Sequence, residues 1–161
     1  MLFRSIAAAL KTGNAALVVA TESHRKKLLS ELWGHGQEIC DAIEEGRYFP
    51  LDAEETLSLF LVDSVIDPVR FLEGFGDLIV AAREATKAEN PRVSVFGECV
   101  HLLWANGNSE AGIQLEKLGN KLVQIHDVDI LCGYSLGNIS LEMNHSLFQR
   151  ICAEHSALYS L

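Results

Sequence analysis

The segment from Arg92 to Trp104, RVSVFGECVHLLW, constrains the fold more than any other part of the chain. Its first half is a short β-branched run that ends at Gly97 and Glu98 and passes directly into a helical pattern. In an α/β protein, a parallel strand that feeds a helix places the residues at its carboxyl end in the crevice where ligands bind. Glu98 is therefore the best-placed polar side chain in the sequence.

No phosphate-binding motif accompanies this junction between strand and helix. Neither G-x-x-x-x-G-K-S/T nor G-x-G-x-x-G occurs anywhere in the 161 residues. The sequence thus predicts the architecture of a nucleotide-binding protein without the glycine loops that hold phosphates.

Strand and helix patterns alternate along the chain. Ala15 to Ala20 is a fully apolar run typical of a buried parallel strand, with helical patterns on either side. Pro68 begins a long helix, and Asn108-Ser109 caps another that runs to about His126. The buried face of this last helix is expected to contain Ile113, Leu115, Leu118, Leu122 and Ile125. We also expect strands over 47–51 and 129–134, a helix ending at Val62 and a closing helix over 140–156.

These elements predict a three-layer α/β fold with a mainly parallel sheet and helices on both faces. No linker rich in proline, glycine or serine divides the chain, and no repeat or low-complexity tract interrupts it. With 161 residues and 48% hydrophobic content, the chain can bury one good core. We expect a single domain over residues 1–161.

The charge of the chain argues against two classes of partner. The formal net charge is −9, and the only dense basic run, His24 to Lys27, lies inside a helical pattern. A nucleic-acid backbone or an anionic membrane surface would be repelled. The apolar stretches are also too short to span a bilayer. We expect a soluble, cytoplasmic protein that binds neither nucleic acid nor membranes.

The cysteines and histidines show no local spacing for a metal. The four cysteines form no C-x-x-C pair and follow no signal peptide, which favours a reduced compartment. Cys99 and Cys132 lie in apolar runs, where a thiol behaves as a small hydrophobic group. His145 and His155 are ten residues apart and do not share a helix face. We predict no metal and no cofactor.

Polar side chains follow the predicted strands where each strand ends. Because the carboxyl ends of parallel strands meet at one rim of the sheet, these side chains are expected to share a ligand site. The rim residues are Thr21, Glu22, His24, Asp52, Glu55, Gly97, Glu98, Tyr134 and Ser135. Trp104 follows Glu98 on the next helix and can line the same cavity.

Structural roles compete with this site hypothesis. Asp52 and Glu55 match a capping box, in which Asp52 accepts from first-turn amides and Glu55 reaches back. Glu98 can equally cap the next helix or pair with a nearby base, since a carboxylate after a buried strand needs a partner. Glu116 and Asn120 lie one helical turn apart, which suits an intrahelical contact as well as a site.

Six ordered blocks of the chain resemble the MEDS family, the sensory domain of methanogen and methylotroph regulators that include the dichloromethane-responsive repressor. The blocks are GNAALVVATESHR, EEGRYFPLDAEETLSLFLVD, VSVFGECVHLLWANGN, QLEKLGNKL, LCGY and FQRICAEHS. The resemblance covers nearly the whole chain and implies a relative of the RecA and circadian-clock ATPase fold. It also implies a sensor of small hydrocarbon derivatives, often joined to histidine kinase or DNA-binding parts.

Most positions that coincide with the family pattern lie on the rim already described. They are Thr21, His24, Arg25, Asp52, Glu55, Thr56, Gly97, Glu98, Trp104, Glu116, Asn120 and Tyr134. The resemblance implies a shared site without assigning chemistry to each residue.

The chain departs from the family in two respects. Family members usually begin with a further strand bearing His followed by Phe-Tyr, whereas this chain opens in the next helix, so we expect that strand to be missing. The exposed sheet edge would favour pairing with a second copy. We also expect no kinase, receiver or helix-turn-helix output region to be attached. We therefore expect a homodimer that signals through a separate histidine kinase or other regulator; the alternative is that the chain is a fragment or a degenerate copy.

Three functions are consistent with these observations. The leading prediction is a non-enzymatic sensory domain that binds a small molecule at the rim and signals through protein association. The second is a residual nucleotide-binding or ATPase-like domain with Glu98 as the general base, which the missing phosphate loop disfavours. The third is a structural dimerisation module.

Overall fold

Helices and strands alternate through most of the chain in the computed structural model, which describes residues 2–134 and 145–155. In chain order the elements are α1 (Leu2–Lys11), β1 (Ala15–Ala20), α2 (Glu22–Trp33), α3 (Gln37–Glu44), β2 (Tyr48–Asp52), α4 (Ala53–Phe60), β3 (Leu61–Val62), β4 (Val65–Ile66), α5 (Pro68–Glu84), β5 (Val93–Gly97), α6 (Cys99–Ala105), α7 (Ser109–His126), β6 (Asp129–Cys132) and α8 (His145–Glu154).

Four parallel strands form the central sheet in the order β2-β1-β5-β6. The central strand β1 is apolar throughout and buried at all six positions, as expected for a strand covered on both faces. The mainly parallel sheet predicted from the sequence is confirmed.

Helices cover both faces of the sheet. Alternate residues of β1 point to opposite faces. Leu17 and Val19 pack in a core with α4, α5, α6 and α7, whereas Ala16 and Val18 pack in a second core with α1, α2 and α3. This three-layer arrangement agrees with the predicted RecA-like α/β fold. No helix in the described part of the chain is long and apolar enough to cross a bilayer.

A small hairpin replaces the end of one predicted helix. The helix expected to end at Val62 ends at Phe60, and β3 and β4 pair antiparallel. Asp63 and Ser64 make the turn with φ values of 49° and 67°. This left-handed backbone matches the right-handed twist of a hairpin. The usual Asn-Gly signal is absent, so the helical pattern dominated the sequence interpretation.

The carboxyl-terminal elements also differ in detail from the expectation. In α7 the predicted core residues are buried except Ile125, which is exposed like its neighbour Val123 because the last turn has little cover among the described residues. Strand β6 ends at Cys132, so Tyr134 follows the strand instead of belonging to it. Ser135 and part of the predicted closing helix lie outside the described residues.

Candidate functional site

The carboxyl ends of β1 and β5 adjoin at the centre of the sheet, where Val19 pairs with Gly97. From β1 the chain runs through α2 and α3 to β2 on one side, and from β5 it runs through α6 and α7 to β6 on the other. Such a topological switch point is where open α/β sheets bind ligands. Thr21 and Glu98 are the first residues beyond the two strands.

The junction where β1 and β5 end is called the crevice, after its place in the fold, and two different partners hold Glu98 there. The backbone N–H of Thr21 donates to Oε2 at 2.9 Å, and Nδ1 of His24 lies 2.5 Å from Oε1. Only 10% of the Glu98 side chain is exposed. Because Thr21 is the N-cap residue of α2, the carboxylate lies at the positive end of the α2 dipole.

The structure decides between the two structural roles considered for Glu98. By position it is the N-cap residue of α6, but its side chain makes no capping hydrogen bond there. It pairs instead with His24, which lies on the helix that follows the neighbouring strand. The interpretation of Glu98 as the partner of a nearby base is correct.

His24 is the accessible side of this pair. Its side chain is 60% exposed, in contrast to the buried carboxylate that it contacts. The imidazole is therefore the solvent-facing side of the contact with Oε1 of Glu98.

A second polar pair lies where β1 and β2 end. Arg25 donates through Nη2 to Oδ2 of Asp52 at 2.7 Å and through Nε to the carbonyl of Ala20 at 3.1 Å. Oδ1 of Asp52 accepts from the backbone N–H groups of Glu54 and Glu55. The hydrogen bond from Glu55 N–H and the adjacent guanidinium hold the pKa of Asp52 below its usual value.

Asp52 is therefore a helix cap, as the sequence predicted. Glu55 contributes its backbone N–H to this cap, but in the described part of the chain its exposed side chain makes no hydrogen bond back to Asp52 N–H, so the reciprocal half of the predicted capping box is not formed. Thr56 is buried beside it. Asp52, at the end of β2, therefore has a structural role. It caps α4 and also holds Arg25 beside the crevice.

A buried group of polar side chains lies at the carboxyl end of β6. The Tyr134 phenol donates to Oε1 of Glu116, and Cys132 Sγ donates to Oε2 at 3.7 Å. Nε2 of His155 lies 3.6 Å from the same Oε2. Burial raises the pKa of the Glu116 carboxyl, which is 6% exposed, and burial likewise raises the pKa of the Cys132 thiol. This set is called the Glu116 cluster below.

Aromatic rings enclose the Glu116 cluster. The Tyr134 ring lies 5.9 Å from the Trp104 ring and 5.9 Å from the His155 ring, measured between centroids. The buried Trp104 indole packs against the backbone of Gly112, where a Cβ atom would lie only 2.5 Å from Nε1. Among the described residues the indole N–H has no hydrogen-bond partner.

Gly133 joins the crevice to the Glu116 cluster. Its N–H donates to the carbonyl of Gly97 at 2.9 Å. A Cβ atom at this position would lie 2.7 Å from Cζ of Phe96 and 3.8 Å from Cγ of Glu98. The absence of a side chain thus lets the end of β6 pass close to the Glu98 side chain.

The rim residues and the positions of the family pattern therefore fall into three groups, each held together by its own contacts. Thr21, His24 and Glu98 form the first, Arg25 and Asp52 the second, and Trp104, Tyr134 and Glu116 belong to the third. Asn120 is elsewhere, because its amide donates to the carbonyl and carboxylate of Glu154 and so anchors α8.

Sequence reasoning missed Cys132 and His155 as members of a site. Glu116 and Cys132 are 16 residues apart, and His155 lies on the far side of residues 135–144. Separations of this kind follow no local pattern. The signals available were two blocks of the family resemblance, LCGY, which places Cys132 two residues before Tyr134, and FQRICAEHS, which contains His155.

A groove of about 360 Å³ opens elsewhere, between α1 and the strands β5 and β6. It is lined by Ser5, Ile6, Ser94, Val95, Phe96, Asp129, Ile130 and Leu131. None of these is a rim residue, so this groove is separate from the crevice at Glu98.

Comparison with known proteins identifies the family of the chain. No curated protein and no solved structure matches it. A family model does match, over residues 1–149, and its description is MEthanogen/methylotroph, DcmR Sensory domain. The matched range contains the three rim groups apart from His155, together with the whole sheet. The chain belongs to the MEDS family of sensory domains.

Proposed function

We propose that this chain senses a small organic molecule in the crevice between β1 and β5, with Glu98 and His24 as its polar anchor. The sensory nature of the family supports a signalling role. The observation that carries the choice of site is the asymmetric hold on Glu98. A backbone amide fixes one carboxylate oxygen, and an exposed side chain holds the other.

Of the two hydrogen bonds that hold Glu98, the one to His24 is the one that a ligand can replace. A buried carboxylate must keep its hydrogen-bond donors, because losing one costs about 1 to 3 kcal/mol. A ligand with an O–H or N–H group can take the place of the imidazole at Oε1 while Thr21 continues to hold Oε2. The displaced ring is already 60% exposed, so it can turn into water at little cost.

This exchange favours a ligand with one donor group and an apolar remainder. Glu98 accepts the donor, and aromatic rings of Trp104 and Tyr134 lie at the same rim beyond Gly133. Short alcohols and amines have this chemistry, and they are hydrocarbon derivatives of the kind that the family resemblance implies.

A phosphate-bearing ligand fits the crevice poorly. Nucleotide-binding α/β proteins place phosphate at the N-terminal end of the helix that follows a central strand. In this chain the Glu98 carboxylate already accepts from Thr21 N–H at that end of α2. A bound phosphate would face a buried negative charge. This argues against the ATPase-like alternative.

The signal would pass to a protein partner through α2. Displacement of His24 changes the exposed surface of this helix, whose side chains at Glu22, Ser23, Lys26 and Lys27 are also exposed. We propose that a second copy of the chain, or a separate histidine kinase or regulator, reads this surface.

Thermal unfolding with a panel of short alcohols, amines and halogenated alkanes tests the proposal. A compound that binds only the folded protein raises its melting temperature. We expect an alcohol or amine to do so, and Glu98→Gln to weaken its binding at least tenfold, about 1.4 kcal/mol. Glu31→Gln removes a carboxylate from the exposed face of the same helix as His24 and is the matched control.

Two results would contradict the proposed site. One is a panel in which no compound raises the melting temperature of the unmodified chain. The other is equal binding by the Glu98→Gln and Glu31→Gln variants.

A further inference from the structure

Three side chains with metal-binding chemistry converge in the Glu116 cluster. A carboxylate oxygen of Glu116, Sγ of Cys132 and a ring nitrogen of His155 all lie within 4.8 Å of one another. They come from α7, from the end of β6 and from the residue after α8. The fold thus assembles one oxygen, one sulfur and one nitrogen ligand from distant parts of the chain.

The spacing of these atoms is close to that of a tetrahedral metal site. With metal–ligand bonds of about 2.0 to 2.3 Å, neighbouring ligands of zinc lie about 3.3 to 3.5 Å apart. Oε2 of Glu116 lies 3.7 Å from Cys132 Sγ and 3.6 Å from His155 Nε2. These two distances exceed the tetrahedral spacing by a few tenths of an ångström, and the sulfur and the ring nitrogen lie within 4.8 Å of each other, so an ion would draw the three side chains together around it.

Tyr134 orients the carboxylate for this role. Its phenol donates to Oε1 of Glu116, which leaves Oε2 directed toward the sulfur and the nitrogen. The Tyr134 ring is itself fixed between the rings of Trp104 and His155. A hydrogen bond to the non-coordinating oxygen is the usual means by which proteins orient a carboxylate ligand.

The surroundings of Glu116 also favour a cation. The carboxylate is 6% exposed, and within residues 2–134 and 145–155 its ion-pair partner is His155, which is charged only when protonated, and not a lysine or arginine. Buried carboxylates are usually paired with a charged group or bound to a metal. A divalent ion between Oε2, Sγ and Nε2 would supply that positive charge.

We propose that Glu116, Cys132 and His155 bind a divalent transition-metal ion, with zinc as the best match. Sulfur and imidazole ligands exclude magnesium and calcium, which take oxygen ligands. On binding, the Cys132 thiol releases its proton to solvent and the metal–sulfur bond replaces the S–H donation to Glu116. Three protein ligands leave a fourth position for water or another donor.

This site would have a mechanical consequence. His155 follows α8, whereas Glu116 and Cys132 belong to the body of the domain, so the ion would fasten α8 against α7. The proposal does not depend on the small-molecule crevice, because it uses neither Glu98 nor His24.

Cobalt titration of the full chain, followed by competition with zinc, tests the site. Cobalt substitutes for zinc, and a thiolate ligand gives an intense charge-transfer absorption. We expect this absorption in the unmodified chain, its loss in Cys132→Ser, and displacement of cobalt by zinc. Cys40→Ser removes a thiol from α3 on the opposite face of the sheet and should leave the absorption unchanged.

Two further variants keep the test decisive if Cys132→Ser does not fold. His155→Gln removes a ligand and should weaken zinc binding more than tenfold. Even the loss of a hydrogen bond that only supports a ligand lowers metal affinity about 10- to 100-fold. Tyr134→Phe should weaken zinc binding about 10-fold or more but retain the sulfur absorption, because all three ligands remain. Folding of each variant is checked by circular dichroism.

A cobalt complex without sulfur absorption would overturn the proposal. So would zinc affinity that is the same in His155→Gln, Tyr134→Phe and the unmodified chain, since binding would then occur elsewhere on the surface.

Discussion

Two buried glutamates at the same rim of the sheet are satisfied in different ways. Glu98 is held by a backbone amide and by a histidine that is 60% exposed. Glu116 is held by a phenol, a thiol and a histidine that is only 16% exposed. The carboxylates of Glu98 and Glu116 are buried to a similar extent, so the two sites differ in the groups that hold the carboxylate. The histidine beside Glu98 is open to water, whereas the histidine beside Glu116 is largely enclosed.

The largest effect that would test this contrast is expected at Trp104. Trp104→Ala should lower the free energy of unfolding by about 3 to 5 kcal/mol, because it removes a buried indole that packs on Tyr134. The other tryptophan, Trp33, is 45% exposed, so Trp33→Ala should cost about 1 kcal/mol or less. Urea unfolding measures both. Equal losses would show that the Glu116 cluster is no better packed than the surface of α2.

Two glycine substitutions test how closely the chain packs between Glu98 and the Glu116 cluster. Gly133→Ala should destabilise the protein by about 1 to 3 kcal/mol, because the new methyl group would meet the Phe96 ring at 2.7 Å. Gly97→Ala should stay within about 0.5 kcal/mol of the unmodified chain, since nothing lies within 4 Å of its Cβ position. Chemical denaturation of the two variants checks this difference. A tolerated Gly133→Ala would mean that β6 can move away from Glu98.

The two histidines provide the most direct comparison of exchangeable and closed partners. In the presence of a chelator, His24→Ala should cost less than about 1 kcal/mol, because water can replace an exposed imidazole beside Glu98. His155→Ala should cost about 1 to 2 kcal/mol, since it removes a ring that packs against Tyr134 and lies beside Glu116. Thermal unfolding distinguishes them. The reverse order would remove the basis for treating His24 as displaceable.

The smallest effect concerns pH at the β2 end of the rim. The pKa of Asp52 is lower in the folded chain than its usual value, first because Glu55 N–H donates to it and then because Arg25 adjoins it. Its ionised form therefore stabilises the fold above a pH of about 4, and this contribution is lost as the pH falls through the folded-state pKa. Asp52→Asn keeps a capping oxygen but removes the charge beside Arg25 and at the start of α4, so it should cost about 0.3 to 1 kcal/mol at neutral pH.

The difference between Asp52→Asn and the unmodified chain should narrow on acidification. Unfolding curves collected from neutral to acidic pH measure it. A constant difference would indicate that the cap depends on hydrogen bonds alone and not on the charge of the side chain.

Local patterns were sufficient to predict the layers of the fold. The apolar run of β1, the Asp67-Pro68 start of α5 and the strand-to-helix junction at Gly97 each specify an element through neighbouring residues. Alternation of such elements leads to a parallel sheet. The same junction also placed Glu98 at the rim, and Asp52 was predicted to be a helix cap.

Contacts between distant residues could not be predicted in the same way. Glu98 and His24 are 74 residues apart, and their contact depends on β1 lying beside β5, which no spacing in the sequence reveals. The Glu116 cluster requires α8 to return to β6. The hairpin after Phe60 was missed for another reason, because its Asp63-Ser64 turn resembles a helix surface in sequence.

The hydrogen bond from Thr21 N–H to Glu98 has a kinetic consequence for a sensor. It connects the residue that follows β1 to the residue that follows β5 through the chain's own groups. The ends of these two strands are therefore already held together, and under the proposed function ligand binding would not have to drive coupled folding. A response that needs only a side-chain swing can begin and reset quickly, so the domain would follow falling concentrations as readily as rising ones.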